Sequence, residues 1–112
     1  MAPAPADNGG VDVELREASP GRFEVLGSLT FASARHAAER GIRAFGASGA
    51  TSLEADLSAV RKADSAGLAV LICWLAWAQR AQRKLTLTRI PASLADLARI
   101  SEAGPLLQPQ GT

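Results

Sequence analysis

A chain of 112 residues with 47% hydrophobic side chains has the size of one ordinary domain and enough apolar surface for one core. Its formal net charge of +1 gives no broad attraction to phosphate backbones or anionic lipid, so nucleic acid is not an expected partner. A single cysteine, Cys73, excludes an intramolecular disulfide. With only one histidine beside it there is no closed zinc site either, and neither metal nor cofactor is expected.

Residues 1–10, "MAPAPADNGG", have no basic or apolar stretch of the kind a secretion signal needs and read as a flexible tail. In "VDVELRE", Val11, Val13 and Leu15 alternate with polar neighbours, the period of a half-buried strand. "SPG" signals a turn. "RFEVLGSLT" then places Phe23, Val25 and Leu29 on one side, predicting an antiparallel hairpin. Thr30 or Ser28 is expected to cap a helix from Phe31 to Phe45, whose stripe is Phe31, Ala34, Ala38, Ile42 and Phe45, with His36, Arg40 and Arg43 facing solvent. "GASG" stops it, and "TSLEADLSAV" predicts a central strand carrying Leu53, Ala55 and Leu57.

A long helix is expected from Ser65 to about Arg83, then a strand in "KLTLTRI" with Leu85, Leu87 and Ile90. A last helix opens at Pro91 or Ser93, carries Leu94, Leu97, Ala98 and Ile100, and stops at Gly104-Pro105. Residues 108–112 read as a second flexible tail, leaving one domain over 11–107. The order predicts an α/β fold, a mixed four- to five-stranded sheet with an N-terminal antiparallel hairpin, right-handed helical crossovers and about three helices.

The long helix is apolar all round. Its apolar stretch, Ala66 to Ala78, is shorter than the roughly 20 residues that span a bilayer, so no membrane insertion is expected. At 100° per residue, Leu68, Leu71, Ile72, Leu75 and Gln82 share the expected sheet-facing side. Ala66, Val70, Trp77 and Ala81 lie opposite, with Cys73 and Trp74 on the flanks. Either a neighbouring helix covers Trp74, or both tryptophans are partly buried at the domain edge, or the face binds a partner; pairing of two copies of the isolated chain is one form of the last. Arg80, Arg83 and Lys84 suit the carbonyl end of the helix.

Asp64 and Ser65 are both good N-cap residues, and a plain cap accounts for one of them. Ser65 is expected to cap the helix and also to mark a surface that a partner reads. Gly67, costly inside a helix, implies that something approaches the backbone there closely, either a bound or covalent phosphate on free first-turn amides or a docked loop of a partner. Catalysis is not expected: His36 has no second histidine or metal-ligand spacing beside it, Cys73 lacks an activating neighbour, and "GASGATS" lacks the lysine of a phosphate loop.

"ADLSAVRKADSAGLAVL", a strand leading through a short turn into Asp-Ser-Ala-Gly-Leu at a helix start, resembles the signature of STAS domains. The resemblance extends over most of residues 11 to 107. "WLAWAQRAQRK" and "PASLADLARI" look most like the MlaB-type branch, although Cys73 departs from it where an acidic residue commonly precedes the tryptophan. That branch implies a cytoplasmic accessory subunit, at the inner face of the inner membrane, of an ABC transporter moving phospholipids between inner and outer membranes. Its hydroxyl at the position of Ser65 sits against the ATPase subunit. Asp64, Ser65, Ala66, Gly67, Val70, Trp74 and Trp77 are then the expected partner-binding residues. The anti-sigma factor antagonists of the same family imply the alternative, in which Ser65 is phosphorylated by an anti-sigma factor kinase and the added charge switches binding.

Overall fold

The computed structural model describes residues 13–100; the tails expected at residues 1–10 and 108–112, Val11 and the Gly104-Pro105 stop lie outside them. Strands β1 (Val13–Ser19) and β2 (Arg22–Leu29) form the expected antiparallel hairpin. The turn between them relies on Gly21, whose φ of +81° is left-handed, and its amide donates to a Glu17 carboxylate oxygen at 3.0 Å. Helix α1 (Ala34–Ala47), strand β3 (Ser52–Ala63), helix α2 (Ser65–Arg80), strand β4 (Lys84–Thr88) and helix α3 (Ala92–Ile100) follow. The sheet order is β1-β2-β3-β4, with β3 parallel to both β2 and β4. Among the described residues this is a four-stranded mixed sheet with three helices, the lower strand count of the expectation.

The period of two along the strands separates two faces. Phe23, Val25, Leu53, Ala55, Leu57, Leu85 and Leu87 merge with residues of all three helices into one core. The alternate positions carry ions. Asp56, buried at 5% exposure, lies 3.2 Å from Arg22 and 2.8 Å from Arg89, while Thr88 donates to Glu54 at 3.0 Å. Burial on its own would raise the Asp56 carboxyl. The hydrogen bonds from Ser58 and the charges of Arg89 and Arg22 outweigh it and hold the group below the ordinary carboxylate range.

Three local expectations change. Helix α1 starts at Ala34, not Phe31, and its N-cap residue is Ser33 instead of Thr30 or Ser28. The buried Ser33 hydroxyl donates to the Ser28 carbonyl at 2.7 Å and accepts from the Thr30 amide at 3.0 Å, which holds residues 30–33 in a turn. Helix α2 stops at Arg80 because Gln82, at φ +60°, leaves the helical region. Arg83 therefore serves another helix: its guanidinium donates to the carbonyls of Phe45 and Ser48 at the end of α1, at 2.7 and 2.8 Å.

The buried face of α2 is also rotated from the expected one. Gly67, Leu68, Val70, Leu71, Trp74 and Ala78 are buried, Ile72 and Leu75 are half-buried, and Gln82 is exposed. Trp74 is 0% exposed and makes an edge-on contact with Phe45 at 5.3 Å. What admits it is Gly41 of α1, where a Cβ would fall 2.2 Å from the indole nitrogen. Of the α3 residues expected to face the core, Ile100 is exposed, whereas Leu94 and Ala98 are buried. No helix among the described residues is long and apolar enough to cross a membrane.

Candidate functional site

Strands β2 and β3 are parallel neighbours, so they end side by side, with Leu29 paired to Ala63 and the Asp64 amide donating to the Leu29 carbonyl at 3.1 Å. Two segments meet there. One is the Thr30–Ser33 turn before α1; the other is Asp64 and the first turn of α2.

Asp64, and not Ser65, is the N-cap. One of its carboxylate oxygens accepts from the amides of Ala66 and Gly67, at 2.9 and 3.4 Å. The other accepts from the Phe31 amide at 3.1 Å. The first-turn amides expected to be free for a phosphate are thus taken by the chain's own carboxylate.

Ser65 itself is exposed, relieved of capping. The same flank of α2 continues through exposed Ala69, Cys73 and Arg80, with Ala76 half-buried. The close approach implied by Gly67 is real but internal. A Cβ there would stand 2.2 Å from the Leu29 carbonyl oxygen, so the glycine lets α2 rest on the end of β2. No partner is needed to explain it.

The expected partner-binding residues therefore divide. Ser65 is exposed, and Asp64, Ala66 and Trp77 are half-buried. Gly67, Val70 and Trp74 are buried and are not part of the surface; the end of β2 lies against Gly67 and α1 against Trp74. Trp77 packs on Phe45 at 6.0 Å, beneath the Arg83 guanidinium at 5.7 Å. Twelve residues from Ser65, it stands roughly 18 Å away along the helix. A groove of about 630 Å³ lined by Ile72, Leu75, Gln79 and Leu85 lies at that far end too.

Phe31, expected on the apolar stripe of α1, is 85% exposed on the turn that Asp64 holds. The only sequence signal for this was Ser33, a third hydroxyl beside two equally good caps.

A family model described as "Mlab, STAS domain" matches residues 13–108. The chain belongs to the STAS domain family. Comparison with curated proteins finds no match. Among solved structures, this STAS domain is similar to the anti-sigma factor antagonist SpoIIAA in its unphosphorylated form, at 12% identity and a TM-score of 0.59. That likeness covers 80% of this chain and 83% of the other. It is also similar to the Bacillus cell fate determinant SpoIIAA in the phosphorylated form, at 14% identity and a TM-score of 0.61, covering 84% and 86%. These likenesses are of fold: one α/β domain with a mixed sheet, an N-terminal hairpin and three helices.

Proposed function

We propose that this STAS domain is a non-catalytic accessory subunit that docks on the ATPase of an Mla-type ABC transporter and supports the movement of phospholipids between inner and outer membranes. It would act in the cytoplasm, at the inner face of the inner membrane when in complex. The observation that carries the docking site is Ser65: the hydroxyl at the start of α2 is exposed because Asp64 does the capping. The description of the matching family, which includes Mlab, supports the transporter as the setting.

Binding of the purified chain to the ATPase subunit, and stimulation of ATP hydrolysis, test the reading. A Ser65→Trp variant adds bulk on an exposed position and should fold with unchanged thermal stability while losing most binding. Full binding and stimulation by that variant would place the docking site elsewhere.

The second reading is a switch in which Ser65 is phosphorylated by an anti-sigma factor kinase. It is favoured by the same exposure of Ser65 and by the likeness to a protein known in phosphorylated and unphosphorylated forms. Intact-mass measurement after incubation with such kinases and ATP tests it. Failure to gain one phosphate, or its gain by a Ser65→Ala variant, counts against it.

A further inference from the structure

We propose that Phe31 is the apolar anchor of the docking surface and that Asp64 is its positioning residue, so that a partner reads Phe31 and Ser65 as one unit. The partner is the ATPase proposed above, and that part of the inference rests on the docking reading. The geometry comes from the free chain alone.

The turn that carries Phe31 is tied at both of its ends. The Phe31 amide donates to Asp64 at 3.1 Å, and the Ser33 hydroxyl ties the same turn to Thr30 and to the Ser28 carbonyl. The Asp64 carboxylate meanwhile closes the first turn of α2 through Ala66 and Gly67. One side chain thus joins the backbone that carries the 85%-exposed Phe31 ring to the segment that carries exposed Ser65. A turn already tied to its neighbour loses little backbone freedom when its aromatic side chain enters an apolar pocket, which suits an interface anchor.

Asp64→Ser separates the two tasks of the carboxylate. Serine is also a good N-cap, but its single oxygen cannot serve Phe31 and the α2 amides together. In the free chain, amide hydrogen exchange at Phe31 should quicken by about 10-fold or more while thermal stability stays within a few degrees. Unchanged exchange at Phe31 would overturn the positioning role whatever the partner proves to be.

In ATPase binding, Phe31→Ala should weaken affinity by about 10-fold or more. Asp64→Ser should weaken it too, and the double variant should be no weaker than Phe31→Ala alone. Effects that multiply would show that Asp64 does not act through Phe31 and would overturn the proposal. If Phe31→Ala binds like the parent while Ser65→Trp does not, the anchor is wrong and the docking reading stands. If neither matters, both fail.

Discussion

At the scale of single residues, the site depends on what is missing as much as on what is present. Gly67 is the clearest case, because a methyl group there would meet a backbone oxygen that cannot turn aside. Gly67→Ala should cost roughly 2–3 kcal/mol in urea unfolding, from overpacking. Gly46→Ala is the matching control: its Cβ would sit an ordinary 3.6 Å from Trp77 within α1, so that variant should be neutral or up to ~1 kcal/mol more stable. Asp56 gives a pH-dependent test. Its folded carboxyl titrates below the unfolded value of about 3.9, so its contribution is present above that pH and fades as the pH falls through the folded value. Asp56→Asn should therefore destabilise by about 1–2 kcal/mol at neutral pH, the difference closing below roughly pH 4 in denaturation curves.

At the scale of elements, α1 and α2 lock together where Trp74 fills the space over Gly41. Gly41→Ala should cost roughly 1–3 kcal/mol in the parent and clearly less in a Trp74→Phe background, since the smaller ring leaves room. Equal costs in both backgrounds would place the clash elsewhere. This packing also explains what could be read from the sequence. Strand alternation at Phe23, Val25, Leu53, Ala55, Leu85 and Leu87 has a period that backbone geometry alone imposes, and the order of elements followed from it. The choice of face on α2 did not, because an all-apolar helix has no polar side to mark its orientation. Only the contact of Trp74 with an unmarked glycine on another helix decides it. Asp-Ser-Ala-Gly-Leu marked the start of α2. Asp64 also holds the Phe31 amide thirty-three residues away, a contact that no local spacing encodes. Helix α1 starts after Ser33 because its hydroxyl, one of three equally good candidates in the sequence, is the one that ties back to Ser28 and Thr30.

At the scale of the whole molecule, all three helices share one face of the sheet while the opposite face is an ion-paired surface around Asp56. The Ser65 flank of α2 is the outer side of the helical layer. Cys73 reports on it without any mutation, being exposed two turns below Ser65. A thiol reagent should label it in the folded chain, and the proposed ATPase complex should slow that labelling several-fold. Labelling at an unchanged rate would confine the contact to the first turn of α2 and the Phe31 segment. The seating of Gly67 on Leu29 has a kinetic consequence as well. Because α2 rests directly on the strand that feeds the Phe31 turn, the two segments are already joined in the free chain, and the proposed docking should require no rearrangement of it. Association should then follow a single phase linear in concentration, within the roughly 10⁵–10⁷ M⁻¹s⁻¹ set by diffusion and orientation, leaving dissociation to distinguish one partner from another.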